Sequence, residues 1–326
     1  MWLHRYAVFV AACTILLIVA GGLVTSTASG LSVPDWPTTY GWSMFTFPLD
    51  KMVGGIFYEH AHRLIASSVG MLTIALAVWL WLAERQPWLR RLGVVALGAV
   101  CAQGLLGGLT VLFFLPAPVS IAHAGLAQIF FCLVLSIALF TSRSWQGAGP
   151  RAVDDRVLRI LASATTAAIY AQILIGAAMR HTGAGLAIPD FPLVFGGVVP
   201  PEWTARIALH YAHRVAALIV ASAILATAGH IWYHYWSRPE LTRPATIGAL
   251  LVLAQITLGG LTVLSGRAVS INTAHVVTGA LVLATSLVVS LRSWRVRFAS
   301  RESTIAGELP FGRDLREKRS SVGARA

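Results

Sequence analysis

Eight apolar stretches constrain this chain more than any other feature of its sequence. A helix that crosses a membrane needs about 20 mostly apolar residues, and each stretch has that length. Short polar segments separate them, so the sequence predicts eight transmembrane helices and no large soluble domain. The stretches cover residues 6–25, 64–83, 92–114, 119–141, 157–179, 206–228, 245–265 and 271–291.

The composition excludes the soluble classes of protein. Of the 326 residues, 56% are hydrophobic and only 12% are charged, whereas an ordinary soluble domain has about 25% charged residues. A net charge of +12 would suggest a nucleic-acid partner in a soluble protein. In a membrane protein the same charge reflects how Lys and Arg are distributed about the bilayer. We therefore expect membrane lipid, and no nucleic acid, as a partner.

The distribution of basic residues predicts the orientation of the chain. With the N-terminus in the cytoplasm, 19 of the 25 Lys and Arg residues fall on the inner side, as the positive-inside rule requires. Both termini are then cytoplasmic, and we expect an integral protein of the bacterial cytoplasmic (inner) membrane. The first apolar stretch is longer than the core of a signal peptide, so it is interpreted as a retained helix. The outer side keeps only Lys51, Arg63, Arg180, Arg206, Arg214 and Arg267.

The chain also repeats itself. GLSVPDWP at 30–37 recurs as GLAIPDFP at 185–192, and QGLLGGLTVL at 103–112 recurs as QITLGGLTVL at 255–264. Each copy holds an even number of spans, so both insert with the same orientation. The predicted fold is an all-α polytopic membrane protein of two parallel four-helix-bundle repeats. These are residues 1–146 and 157–298, with a cytoplasmic linker (147–156) and a disordered cytoplasmic tail (299–326). The paired glycines 107–108 and 259–260 are interpreted as sites where helix backbones approach closely.

Four histidines occupy matched positions in the two copies. His62 and His123 lie in the first, His213 and His275 in the second, each near the outer end of an even-numbered span. A single intramembrane histidine could simply be hydrogen-bonded between helices, but four in register favour a function. Two histidines on different helices of one bundle are typical axial ligands of a haem iron. Zinc or copper would need a third or fourth ligand, and none is repeated in each half.

One position near these histidines differs between the copies. Glu59 lies three residues before His62, whereas His210 lies three residues before His213. This difference favours proton chemistry in the first half only. A favourable charge at a helix N-terminus is the simpler alternative for Glu59. Arg63 and Arg214 could pair with haem propionates or simply extend to the membrane surface, and two loop aspartates are interpreted as turn formers, Asp35 and Asp190.

These motifs together resemble the heme A synthase family. The resemblance covers residues 6–291 and rests on GGLVTSTASGLSVPDWP, EHAHR with Glu59 and His62, HAGLAQ with His123, HYAHR with His213, and the segment around His275. It implies an oxidoreductase acting on a CH group, which converts a methyl group of haem o into a formyl by successive hydroxylations. The product, haem a, serves terminal oxidase biogenesis. It also implies that His62 and His123 bind the substrate haem iron, that His213 and His275 bind haem b, and that Glu59 is catalytic.

The resemblance carries expectations about partners, with one departure. Heme o synthase and an electron donor are expected partners, and a homo-oligomer is compatible with the sequence. Some family members have a cysteine pair in an outer loop, but residues 25–58 contain no cysteine. This leaves the route of electron entry open.

Two other functions use the same residues. A dihaem b-type electron-transfer protein would use the four histidines without modifying its haem, but it has no need of Glu59. A repeat-based transporter would need polar residues at mid-membrane depth and broken helices. Here the polar groups lie near the outer ends and no predicted span contains an internal proline, so the transporter ranks last.

Overall fold

Eight long helices dominate the protein in a computed structural model that describes residues 1–146 and 155–308, with side chains described up to Arg295. The described ranges contain no strand. All eight helices are long and apolar enough to cross a membrane, which confirms the eight predicted spans. The helices are α1 (Trp2–Ser26), α2 (Gly54–Ala83), α3 (Pro87–Leu112), α4 (Ala117–Phe140), the short α5 (Arg143–Gln146), α6 (Arg156–His181), α7 (Ala205–Tyr235), α8 (Pro239–Leu264) and α9 (Val269–Glu308), with a 3-10 turn at Leu49–Lys51.

Among the helix starts, the largest difference from the predicted spans lies at α2. The apolar pattern places this start at residue 64, but the helix begins at Gly54. The apolar pattern omits the polar segment from Glu59 to Arg63, yet these side chains are hydrogen-bonded to the preceding loop. Polar groups satisfied in this way can belong to a buried helix.

α8 begins before its predicted span (245–265) and therefore contains a proline just ahead of that span. Pro244 lies five residues after the start of α8, near its predicted inner end. A proline has no N–H to donate to the carbonyl four residues earlier, here that of Glu240. Arg292 of α9 donates to this carbonyl instead. The helix therefore continues past Pro244 because a neighbouring helix replaces the missing donor.

The helices pack as two groups that touch along one seam. α1 packs on α2 and α4, and α3 packs on α2 and α4; α6 and α8 each pack on α7 and α9. Across the seam α1 contacts α9 and α4 contacts α6. The core of the first group contains Val10, Leu76, Leu80, Phe130 and Ile137. Each group thus encloses its own interior.

The loops that precede α2 and α7 are held by the two aspartates predicted as turn formers, which confirms that interpretation. Asp35 accepts from the backbone N–H groups of Tyr40 and Gly41, at 2.7 and 2.9 Å. Asp190 accepts from Phe195 and Gly196 in the same way. Burial alone would raise the pKa of the Asp35 carboxyl, but hydrogen bonds from Gly41, the Thr38 hydroxyl and Tyr40 bring it below its ordinary value. Each loop is therefore closed by an ionised carboxylate.

Two predicted segments fall largely outside the described residues. Of the linker (147–156), residues 147–154 are not described, and of the tail (299–326), residues 309–326 are not described. The helix α9 itself is assigned up to Glu308. The linker and the disordered tail stay predictions.

Asp155 ties together the ends of α6 and α7 that lie on the predicted inner side. Its Oδ1 caps α6 by accepting from the Leu158 N–H at 2.8 Å. Its Oδ2 contacts His230 Nε2 at 2.7 Å and accepts from the Tyr235 hydroxyl at 2.9 Å. An N-terminal cap of this kind satisfies a backbone donor that the helix itself cannot pair.

We expect Asp155→Asn to destabilise the protein. Burial alone would raise the pKa of the Asp155 carboxyl, but hydrogen bonds from His230, Leu158 and Tyr235 lower it to about 2. The pKa of this carboxyl is lower in the folded state than in the unfolded state, where it is about 4. The carboxylate therefore stabilises the folded protein at pH values above about 4. This contribution is lost as the pH falls toward the folded-state pKa. Thermal unfolding in detergent at pH 7 should show a loss of about 2 kcal/mol. The difference from wild type should shrink as the pH falls below about 4; an undiminished difference would contradict an electrostatic origin.

Candidate functional site

Each of the four matched histidines lies against a glycine of a neighbouring helix. A Cβ built on that glycine would lie 3.1 or 3.2 Å from the imidazole Cε1. Contacts this short force a neighbouring atom to move, so glycine leaves room for the ring. The pairs are Gly21 of α1 with His62 of α2, Gly107 of α3 with His123 of α4, Gly176 of α6 with His213 of α7, and Gly259 of α8 with His275 of α9.

The repeated glycine pairs therefore have a different role from the predicted one. Gly107 faces an imidazole, and a Cβ on its neighbour Gly108 would lie 2.5 Å from the Trp36 ring. Gly260 faces the Phe191 ring in the same manner, at 2.6 Å. The interpretation as backbone contacts was wrong, because these glycines accommodate rings from a second helix and from an outer loop.

The histidines lie deeper in their helices than the sequence suggested. His62 is eight residues after the start of α2, and His123 is six residues after the start of α4. At a rise of 1.5 Å per residue these separations correspond to about 12 and 9 Å. The matched residues His213 and His275 lie eight and six residues into α7 and α9. The four are therefore inside the helix bundles, about two turns from the helix starts.

The structure brings the histidines together in two pairs. The imidazoles of His62 and His123 are close enough to interact electrostatically, and so are those of His213 and His275. In the part of the chain that the structure describes, no group of three or more His, Cys, Asp or Glu residues could hold a metal ion. The arrangement is thus one pair of imidazoles inside each helix group.

Unpaired ring nitrogens show what the pairs could bind. The Nδ1 atoms of His62, His123 and His275 are buried, and none has a hydrogen-bond partner among the described residues. An unsatisfied buried polar atom costs about 1–3 kcal/mol, so an imidazole kept in this state needs a reason. A haem iron held by the two imidazoles of a pair would provide one, because coordination takes one ring nitrogen of each imidazole out of the search for a hydrogen-bond partner. The residues present fit this group.

Three glutamines contact the histidines, and the sequence reasoning missed them. Gln103 Nε2 donates to the His123 carbonyl at 2.9 Å, and Gln172 Nε2 donates to the His213 carbonyl at 2.8 Å. Gln255 Nε2 lies 3.5 Å from Nε2 of His275. A signal was available, because Gln103 and Gln255 both begin the repeated segment that contains the glycine pairs.

The histidine without a glutamine is His62. Counting along α1 and α6 from the matched glycines, the residue corresponding to Gln172 is Leu17. Gln172 also contacts Nδ1 of His213 at 3.1 Å, whereas Nδ1 of His62 has no partner in the described chain. The two pairs are therefore surrounded differently.

Glu59 is buried and anchors the outer loop of the first half. Its Oε2 accepts from the Val33 N–H at 2.8 Å, and its Oε1 accepts from Arg63 Nη2 at 2.6 Å. Only 3% of the residue is exposed, so the ion pair with Arg63 is shielded from water. Removing one member of such a buried pair is strongly destabilising.

His210 faces donors equivalent to those of Glu59, a loop N–H and an arginine, but it cannot accept hydrogen bonds from both. Its Nδ1 faces the Ile188 N–H and its Nε2 faces Nε of Arg214, both at 3.2 Å. A neutral imidazole has one acceptor nitrogen, so it can accept only one of these two donors. The difference between the halves is therefore the buried negative charge of Glu59, while the loop contact is common to both.

The two arginines also serve the loops. Arg63 donates to the carbonyls of Asp35, Thr38 and Val33 as well as to Glu59. Arg214 donates to three loop carbonyls, those of Leu193, Ile188 and Asp190. These bonds leave little capacity for the predicted contact with haem propionates, and they favour a structural role.

Three of the remaining histidines show how they lie relative to the two pairs. His60 contacts the Thr39 hydroxyl at 3.0 Å and packs on Phe47, away from His62. His4 contacts the carbonyl of Ala138 at 2.8 Å. His181 is the exception, because it is the last residue of α6 rather than a loop residue and interacts electrostatically with His123.

The comparison with known protein families agrees with this arrangement. A family model described as cytochrome oxidase assembly protein, COX15-CtaA, matches residues 4–287. The chain belongs to this family. The matched range contains both histidine pairs, their four glycines and Glu59.

Similar proteins carry a common name. One called heme A synthase, from Shouchella clausii (strain KSM-K16), is 31% identical over 277 residues, which are 82% of this chain and 88% of that protein. A heme A synthase from Geobacillus kaustophilus (strain HTA426) is 29% identical over 80% of this chain and 82% of its own. A third, from Caulobacter sp. (strain K31), is 29% identical and covers 91% of this chain and 95% of its own.

The glycine contacts generate a direct test. Gly176→Val should destabilise the protein by about 1–3 kcal/mol, because the added carbons overpack the His213 ring. Gly98→Val is the matched control, since no atom lies within 4 Å of a Cβ at this exposed helical position. Thermal unfolding in detergent compares the two variants. Equal unfolding temperatures would contradict the proposed fit between glycine and imidazole.

Proposed function

We propose that this protein is a heme A synthase, which oxidises a methyl group of haem o to a formyl group and yields haem a for terminal oxidases. The observation that carries the proposal is the pair of buried imidazoles inside each helix group, in which Nδ1 of His62, His123 and His275 has no partner in the described chain. The name shared by relatives that match most of the chain supports the same activity.

We assign the first pair to the substrate. His62 and His123 would hold the iron of haem o, and Glu59 lies on the same helical face as His62, one turn away. His213 and His275 would hold haem b as a resident cofactor. The buried carboxylate beside only one pair supports this division, because proton transfer is needed only where a substrate is modified.

Two successive hydroxylations each replace a C–H bond of the methyl carbon by C–OH, giving an alcohol and then a hydrated aldehyde that loses water to form the formyl group. With dioxygen as the oxidant, each hydroxylation takes up two electrons from a donor and two protons and releases one water. Haem b, when bound, supplies one-electron redox chemistry. Glu59 would transfer protons beside the substrate, and Arg63 holds the Glu59 carboxylate in place. The apolar core around α1 to α4 keeps bulk water from the substrate.

We further propose two parallel four-helix repeats, residues 1–146 and 157–298, with both termini in the cytoplasm and both haems toward the outer face. The matching glycine–histidine contacts and the two aspartate-closed loops support the repeat. The excess of basic residues on one side supports the orientation.

The orientation can be tested with reporter fusions. Alkaline phosphatase fused after Trp42 should be active, because it would be exported, whereas a fusion after Arg143 should be inactive. Green fluorescent protein should give the opposite pattern. Active phosphatase at the second position would show that the predicted orientation is inverted.

The proposed partners follow from the chemistry. Haem o is hydrophobic and reactive, so transfer from a heme o synthase in contact with this protein is favoured over free release. An electron donor must also reach the membrane domain. Membrane lipid surrounds the helices, whose outward faces expose large apolar side chains, and a homo-oligomer is compatible with that surface.

The activity can be tested in a host that makes haem o but no haem a. Cells with the wild-type chain should contain haem a or its hydroxylated precursor after extraction and chromatography. Glu59→Gln should lose at least about 99% of the product, in the range of lost proton-transfer catalysis, while haem b stays bound. Unmodified haem alone from the wild-type chain, with haem o and reductant supplied, would favour the dihaem electron-transfer protein instead.

A matched variant separates catalysis from loop anchoring. His210→Ala removes the equivalent loop contact of the second half without touching the carboxylate. If Glu59 acts only as an anchor, loss of product in each variant should follow its loss of stability, which is larger for Glu59→Gln because that variant also breaks the ion pair with Arg63. Absent product in Glu59→Gln protein that is still folded by gel filtration and keeps its full haem b content would identify Glu59 as catalytic.

A further inference from the structure

The outer edge of the second histidine pair carries cations that the first pair lacks. Arg180 ends α6, and Arg267 lies in the turn between α8 and α9. Counting from the matched glycines, Thr25 and Leu115 stand at the corresponding positions of the first half. The two copies therefore differ in charge as well as in the Glu59 position.

Arg180 is placed directly outward of the His213 site. It follows Gly176, the residue that faces the His213 imidazole, by four residues on α6. Residues four apart lie on the same helical face, one turn from each other. Asn272 precedes His275 by three residues on α9, so it too lies one turn outward of its histidine.

These side chains converge on the hydroxyl of Ser26 in α1. Asn272 Nδ2 donates to Ser26 Oγ at 2.9 Å, and Thr273 Oγ1 donates at 3.0 Å. Arg180 Nη2 lies 3.4 Å from Ser26 Oγ, which is the longest of the three contacts. The hydroxyl has two acceptor lone pairs, so Arg180 gains little from it.

Arg180 lacks the partner that a partly buried guanidinium requires. None of the ion pairs between described residues involves Arg180 or Arg267. The two guanidinium groups instead repel each other, and the burial of Arg180 weakens its hydration. An anion with two oxygens satisfies such a group best, because guanidinium and carboxylate form two parallel hydrogen bonds.

We propose that Arg180, assisted by Arg267 and Asn272, binds the propionate carboxylates of the haem held by His213 and His275. This inference rests on the proposed function, since it requires a haem in the second half. The ligand class is a pair of carboxylates on a porphyrin edge. The first half offers Thr25, Leu115 and Ser120 instead, with no cation among them. The substrate haem would therefore lack this charge pairing at its edge, which favours its exchange.

The test compares haem retention in matched arginine variants. Arg180→Gln removes the charge, Arg180→Lys keeps it without the bidentate geometry, and Arg206→Gln removes an exposed outer arginine outside the cluster. Purified proteins are mixed with an apoprotein that scavenges haem, and the loss of haem b is followed by its visible spectrum. The midpoint potential of haem b is measured in parallel.

We expect Arg180→Gln to release haem b about tenfold faster or more, the effect of removing a hydrogen-bonded charge partner. Its midpoint potential should fall, because a nearby cation favours the reduced haem. Arg180→Lys should lie between this variant and wild type, and Arg206→Gln should match wild type. Thr25 is exposed, so an arginine can replace it. Thr25→Arg should slow the release of the substrate haem from the first half, because it adds the cation that this half lacks.

The outcomes separate the inference from the proposed function. A wild-type protein without stoichiometric haem b would overturn the haem assignment as a whole. A wild-type release rate and midpoint potential in a folded Arg180→Gln, judged by gel filtration, would overturn the propionate site alone. Loss of a copurifying anionic phospholipid from this variant, with unchanged haem release, would assign the cluster to a lipid headgroup and overturn the inference. An unchanged release rate in Thr25→Arg would contradict the explanation for exchange.

Discussion

The contact between an imidazole and a glycine in the neighbouring helix organises this protein. A histidine inside a membrane bundle has no water for its ring nitrogens, so its position must serve a bound group or a partner. At four places a glycine removes the side chain that would otherwise occupy the space of the ring. Each contact joins consecutive helices, α1 to α2, α3 to α4, α6 to α7 and α8 to α9.

Symmetry in the fold coexists with asymmetry in the chemistry. Both outer loops are closed by an aspartate and tied to the next helix by an arginine. Within this common frame, Glu59 corresponds to His210 and Leu17 to Gln172. A buried carboxylate near one site and a glutamine near the other give similar backbones different electrostatic surroundings. This is the pattern expected when two copies of one bundle take different tasks.

The sequence predicted the features that depend on composition and matched spacing, and it missed those that depend on contacts between helices. Eight spans follow from hydropathy, and the four histidines follow from the alignment of the copies. The start of α2 was misplaced because Glu59 to Arg63 are polar, and their hydrogen bonds to the loop cannot be deduced from hydropathy. Gly176 and Gln172 were missed because only three-dimensional packing shows that they face His213. For the same reason, the sequence did not reveal that Arg63 donates hydrogen bonds to loop carbonyls.

The hydroxyl of Ser26 belongs to the first half, yet Asn272 and Thr273, which donate to it, belong to the second. In a symmetric dimer of identical four-helix units, every contact across the seam would occur twice with the same residues on each side. At the positions of Asn272 and Thr273 the first half has Ser120 and Ile121, and at that of Ser26 the second half has His181. The reciprocal contact therefore cannot form. The two faces of the seam therefore carry different residues, which two identical half-length chains could not provide.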